Sequence, residues 1–313
     1  MRRGTLHAWL ELMRLSNAPT VVSNVLAGAA AGASLRPAGE GLPVWAAGQV
    51  LLGALLCYWA GMILNDAFDA RVDAAERPSR PIPSGRVALA RARAAGVAML
   101  AVGTALLAFA GMPADGSGGI VGSATFPWAV LLGSCVLAYD VLHLQLPGAS
   151  GLVAGCRALV VVIAALAVSP AAPWPVVAWV ALPLLAYVLC VGIAARDEVV
   201  GLRGPARVVA SALPVLAAIA PVGVRWMAGI EPPAEPWSMP LTVACIALAA
   251  STAFLGLRAA RAGRVPVAVG RWLGAIPAAD AAVCLALGRP GLAAACACAW
   301  VAAALLRRRI AAS

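Results

Sequence analysis

The sequence predicts an all-α fold: a polytopic transmembrane helical bundle of nine or ten spans around a central cavity, forming a single domain over residues 1–313. Three observations predict it. The chain is 63% hydrophobic and only 12% charged, far from the roughly 45–50% apolar and 25% charged make-up of soluble domains. Apolar stretches of about 20 residues recur from residue 18 to residue 306, each long enough to cross a bilayer core. The basic residues are all arginines, and they gather in short clusters between those stretches. Such clustering marks membrane topology rather than a nucleic-acid face.

In chain order, residues 5–16 place Leu6, Trp9, Leu10 and Met13 at helical spacing with Glu11 and Arg14 opposite, so a short interfacial helix is expected there. Spans follow at about 18–35, 44–64, 88–111, 125–144, 151–169, 174–195, 206–228, 238–257, 266–288 and 290–306. The first has no small-residue cleavage site and is expected to stay in the membrane. Ala and Gly are abundant within the spans, which permits close helix packing. The segments 112–123 and 230–237 are rich in Gly and Ser, or in Pro and acidic residues, and are expected to be plain connectors. All eight cysteines fall inside spans without the loop spacing of a zinc site or disulfide framework, and are expected to pack as small side chains.

Orientation follows from arginine counts, because cytoplasmic loops collect positive charge. With the N-terminus inside and ten crossings, eighteen arginines fall on the cytoplasmic side and only Arg36, Arg225 and Arg289 on the other. The expected location is a cell membrane, crossed many times, with the site described next facing the cytoplasm.

That site begins where the second span ends, at Asn65-Asp66-Ala67-Phe68-Asp69-Ala70-Arg71-Val72-Asp73, followed by Arg77, Arg80 and Arg86 in a Pro-rich loop. On a helix Asp66, Asp69 and Asp73 stand at i, i+3 and i+7, so three carboxylates are expected to share one face. A hard divalent cation removes their repulsion, and oxygen donors are what Mg2+ prefers. Its remaining positions go to water or phosphate oxygens, which Arg77, Arg80 and Arg86 can also grip. No phosphate-binding glycine loop, Ser/His/Asp grouping or His-rich site accompanies them.

The run NDxxDxxxD after the second span, with RPxRPIPSGR behind it, resembles the first Asp-rich motif of the UbiA superfamily of intramembrane prenyltransferases. The resemblance implies a ring of mostly nine transmembrane helices around a cavity open to lipid. It also implies that Asn65, Asp66, Asp69 and Asp73 form half of an active site that binds diphosphate through Mg2+. The second Asp-rich motif of that superfamily corresponds to Ala195-Arg196-Asp197-Glu198, where Glu198 takes one acidic position, Ala195 another, and Asp197 is a spare carboxylate. The common Tyr-x-x-x-Lys becomes Tyr139-Asp140-Val141-Leu142-His143, replacing a permanent cation with an imidazole. Arg157, in an apolar span, either restores a positive charge toward substrate or pairs with Asp140. Together these departures resemble a divergent, EboC-like branch.

Among the other intramembrane polar residues, Asn24 and Tyr187 are candidates to line the cavity or to bond between helices, and Asp280 has no partner identifiable in the sequence. The expected activity is Mg2+-dependent transfer of a prenyl group from an isoprenoid diphosphate to a small-molecule or lipid acceptor within the bilayer, with no nucleic acid involved. A membrane terpene cyclase and a lipid or isoprenoid carrier without chemistry are the alternatives.

Overall fold

The computed structural model describes residues 3–36, 42–112, 123–143, 145–146, 148–196, 204–229 and 235–309. The described residues form twelve α-helices and no strands. In order they are α1 (Arg3–Leu12), α2 (Ala18–Gly32), α3 (Val44–Phe68), α4 (Ala70–Glu76), α5 (Leu89–Phe109), α6 (Phe126–Leu142), α7 (Ser150–Val168), α8 (Trp174–Arg196), α9 (Gly204–Ala228), α10 (Ser238–Arg261), α11 (Val265–Ala286) and α12 (Pro290–Arg309). A single 3-10 turn, Leu15–Asn17, joins α1 to α2.

Every expected span coincides with one of these helices, which bears out the all-α membrane bundle. Eight are long and apolar enough to cross a membrane by length and composition. The other two, α2 and α6, have 15 and 17 residues. α2 is buried along almost its whole length, packing against α3, α7, α11 and α12. Its close approach to α7 depends on glycine: a Cβ on Gly28 would stand 2.5 Å from the Val161 carbonyl oxygen.

Two apolar clusters flank α2. One gathers α2, α3, α5, α6 and α7 around Val25, Ala54, Leu107, Leu132 and Ile163. The other gathers α2 and α7 with α8 to α12 around Trp272, whose indole donates to the Ala253 carbonyl at 3.1 Å. Tyr187 on α8 serves this second cluster, its hydroxyl donating to the Trp272 carbonyl at 2.8 Å. The cysteines are free thiols on helices.

α1 departs from the sequence expectation in its buried stripe. Ala8 and Leu12 are buried, while Leu6 is 53% exposed. They pack with Ile63 and Ala67 of α3, with Ile82 and Val87, and with Ala92 of α5. A protein surface therefore competes with the bilayer for this helix, and small Ala8 allows close approach where Leu6 would not.

Candidate active site

α3 and α4 are nearly one helix. The Asp69 amide donates to the Asn65 carbonyl at 2.9 Å, Asp73 to Asp69 at 2.9 Å and Arg77 to Asp73 at 2.8 Å. Asp69 itself, with φ −79° and ψ −2°, marks the junction. The three aspartates accordingly remain at one end of the bundle, with Arg80 shared between two of them and a different cation beside the third. Arg80 Nη1 lies 2.7 Å from Asp73 Oδ2 and 3.5 Å from Asp66 Oδ1. Arg14 Nη2 lies 3.3 Å from the same Asp66 oxygen. Asp69 turns toward α6, with its Oδ1 3.0 Å from His143 Nε2.

The loop after α4 explains why Arg80 reaches the carboxylates. Ile82 between two prolines and Val87 are buried against α1, α3 and α5, and Gly85 turns the chain at φ 74°. Burying Ile82 and Val87 folds the loop back over the end of α3, leaving the Arg80 side chain 11% exposed. Arg86 braces the same loop to α1, with Nη1 2.8 Å from Glu11 Oε2 and Nη2 donating to the Ser79 carbonyl at 2.6 Å. Arg77 is solvent-exposed at the end of α4. Of the three arginines expected to grip phosphate, the structure thus places Arg80 alone on the aspartates.

Arg14 is held by an unusual backbone. It has φ 44° and ψ 52°, a left-handed conformation costly for a residue with a Cβ. Its carbonyl accepts from the Tyr58 hydroxyl at 3.1 Å. Strain of this kind persists where surrounding structure demands it, and here it delivers a guanidinium to Asp66.

Beneath the aspartates lies a cavity of about 220 Å³. Its polar lining includes Arg14, Tyr58, Tyr139, Asp140 and Arg157, and much of the remainder is apolar, with Val21, Leu132, Val136, Val160 and Leu273. Tyr139 stacks on His143, ring centroids 5.2 Å apart. Asp140 is 2% exposed, and neither of its carboxylate oxygens has a hydrogen-bond partner among the described residues. The Asn65 amide nitrogen is likewise buried without one.

Arg157 does not pair with Asp140. Its Nη1 donates to Asn24 Oδ1 at 3.0 Å, and its guanidinium carbon lies 5.7 Å from the Tyr58 ring centroid. Asn24 Nδ2 donates in turn to Asp280 Oδ2 at 2.8 Å, and Ser23 Oγ to the same oxygen at 2.6 Å. Asp280 thus has its partners on α2, which no sequence spacing reveals. Asp197 and Glu198 lie outside the described residues.

The donors gathered here suit Mg2+ in kind, being carboxylate oxygens from Asp66, Asp69 and Asp73, with unpartnered Asp140 beside them. Among the described residues no three carboxylate, His or Cys side chains stand close enough together to hold an ion. The expected convergence of Asp66, Asp69 and Asp73 therefore does not occur. Arg80 Nη1 stands between Asp66 and Asp73 where an ion would sit, and His143 draws Asp69 toward α6. Mg2+ commonly takes one or two carboxylates and completes its shell with water and phosphate, so this donor set still fits it.

An all-helical membrane bundle with an acidic and basic cluster over an apolar cavity defines the class to which the chain is compared. The sequence profile of the UbiA prenyltransferase family matches residues 21–262. The chain belongs to that family, and it is a multi-pass membrane protein. The digeranylgeranylglyceryl phosphate synthase of Ignicoccus hospitalis is 39% identical over 103 residues, 33% of this chain and 31% of that protein. That of Methanopyrus kandleri is 39% identical over 101 residues, 32% of this chain and 35% of that protein. The aligned part is about a third of the length of these curated relatives. A solved UbiA homologue from Aeropyrum pernix superposes with a TM-score of 0.60 at 20% identity, covering 84% of this chain and 96% of that one. A solved digeranylgeranylglyceryl phosphate synthase structure gives 0.59 at 17% identity, covering 92% and 99%. At those identities the likeness is one of fold.

Proposed function

We propose that the protein transfers a prenyl group from an isoprenoid diphosphate to an acceptor within the membrane, with Mg2+ as cofactor and the site on the cytoplasmic face. The observation that carries this reading is the position of Asp66, Asp69, Asp73, Arg14 and Arg80 at the mouth of an apolar cavity. The names of the curated relatives make a prenylated glyceryl phosphate the first acceptor to try.

Carboxylates from among Asp66, Asp69 and Asp73 would hold Mg2+, which when bound would supply neutralisation of the charge that grows on the leaving diphosphate. Arg14 and Arg80 add guanidinium donors to the same oxygens, exchanging an aspartate partner for phosphate. The C1–O bond of the donor breaks, and the diphosphate leaves with the electron pair. Val136, Val160 and Leu273 keep water from the allylic cation, which the acceptor then attacks. Asp140, with two unpartnered oxygens on the cavity wall, is placed to receive the proton that the acceptor loses.

The test is consumption of labelled geranylgeranyl diphosphate by purified protein with a prenylated glyceryl phosphate present, in Mg2+ and in excess chelator. Mg2+-dependent formation of a product containing both prenyl chains is expected. Cyclised product from the donor alone points to a cyclase. Mg2+-dependent binding without consumption points to a carrier.

A further inference from the structure

We infer that Arg157 is the head-group site for an acidic acceptor, with Asn24 and Asp280 as positioning residues behind it. The inference rests on the prenyl-transfer reading above and adds a second anion site to it, separate from the one at the aspartates.

The argument begins with the company each arginine keeps. Arg14 and Arg80 lie against carboxylates, Asp66 and Asp73. Arg157 lies against neutral groups, the Asn24 amide oxygen and the Tyr58 ring, while forming part of the cavity wall. A cation among apolar helices without a directly bonded counter-charge draws an anion into the space it faces. The planar guanidinium fork suits phosphate or carboxylate oxygens.

The counter-charge is present but set back. Asp280 on α11 is 5% exposed and Asn24 on α2 is fully buried. The carboxylate can only accept, and the guanidinium can only donate. The Asn24 amide between them satisfies both solely with its nitrogen toward Asp280 and its oxygen toward Arg157, as found at 2.8 and 3.0 Å. Ser23, at 2.6 Å, fixes the same carboxylate oxygen. Asp280 thus locks the orientation of Asn24, and Asn24 locks the position of Arg157. A direct Asp–Arg pair would neutralise the guanidinium; the intervening amide holds the fork in place and leaves its charge available to the cavity.

The test measures acceptor binding without donor, so it stands independently of turnover. Protein in zwitterionic phospholipid vesicles is titrated with a prenylated glyceryl phosphate and with the same prenylated glycerol lacking phosphate. The expected result is at least tenfold tighter binding of the phosphate form, with Arg157→Gln abolishing most of that difference and Arg157→Lys restoring part of it. A loss of roughly 10- to 100-fold corresponds to removal of a charge-assisted hydrogen bond. Asp280→Asn should weaken the phosphate form severalfold and leave the neutral form unchanged. Equal affinity of wild-type protein for the two forms overturns the inference without touching the prenyl-transfer reading. So does an Arg157→Gln variant that loses geranylgeranyl diphosphate binding in step with acceptor binding. A group serving only to clamp α2, α7 and α11 lowers thermal stability without changing head-group preference. Anionic phospholipid vesicles separate the two sources of phosphate: unchanged acceptor affinity supports an acceptor site, and displacement assigns Arg157 to bulk lipid instead.

Discussion

The cations that meet Asp66, Asp69 and Asp73 set what substitution at each does. Asp66 meets Arg14 and Arg80, Asp73 meets Arg80, and Asp69 meets His143. Replacing any of the three with Asn keeps size and removes the charge that orients its cation and, in the proposed function, would hold Mg2+. Turnover in the Mg2+ assay should fall by two to four orders of magnitude, as when ~3–5 kcal/mol of transition-state stabilisation is lost. Glu76→Gln, exposed on α4, should change turnover less than threefold. Asp140→Asn should lower kcat by roughly 100-fold, the lower end for a lost general base, at an unaltered Mg2+ requirement; a raised Mg2+ requirement makes Asp140 a metal ligand instead. The sequence displays Asp66, Asp69 and Asp73 because helical spacing alone aligns them. It cannot rank Arg77, Arg80 and Arg86, since the burial of Ile82 and Val87 decides which of them turns inward. Arg14 and Asp140 were missed as site residues because their roles come from contacts between helices. An acidic residue within an apolar span was nevertheless a usable signal for Asp140.

At the scale of elements, hydropathy suffices to locate every long helix, because the bilayer demands a continuous apolar run whatever the packing. Packing partners are another matter. The bilayer gives α2 and α5 similar apolar sequences, yet α2 is buried along almost its whole length while much of α5 is exposed. Glycines on α2 distinguish them, since Gly28 and Gly32 face the backbone of α7 at Val161 and Ala165. A side chain at Gly28 meets backbone that cannot rotate away. Gly28→Leu should therefore separate α2 from α7 and destabilise the protein by at least the 1–3 kcal/mol typical of overpacking. It should also lower activity, because Asn24 and Ser23 lie on the same helix and the 3-10 turn after Arg14 leads into it. Gly48→Leu on α3, where the added atoms meet open space, should leave both unchanged. Thermal unfolding in detergent, followed by loss of monodisperse protein, checks the pair. Equal midpoints for the two variants would remove the close contact between α2 and α7.

Over the whole molecule, arginines separate by the end of the bundle on which they lie, and a topology follows. α2 starts beside Arg14, which reaches Asp66 at the end of α3. It finishes at Ala33, whose carbonyl accepts from Arg289 Nη2 at 2.6 Å. Arg289 sits between α11 and α12, so the turn joining those helices lies at the end of the bundle opposite the aspartates. At the other end of the α11 and α12 pair, Arg307 Nη1 donates to the Gly270 carbonyl at 2.7 Å. Arg307 therefore returns to the side of the aspartates, with the Arg71 to Arg93 cluster. Positive charge marks the cytoplasmic ends of spans, so we expect the aspartates, the N-terminus and the C-terminus to share the cytoplasm. Reporter fusions after Ser313 and within 112–123 should report opposite sides, cytoplasmic for the first. Periplasmic or extracellular signal from the C-terminal fusion would leave the chain with an odd number of crossings, so that one of the two helices within residues 266–306 would not span. That outcome conflicts with the close packing of α11 against both α2 and α12, which needs the full length of the buried α11 helix within the bundle.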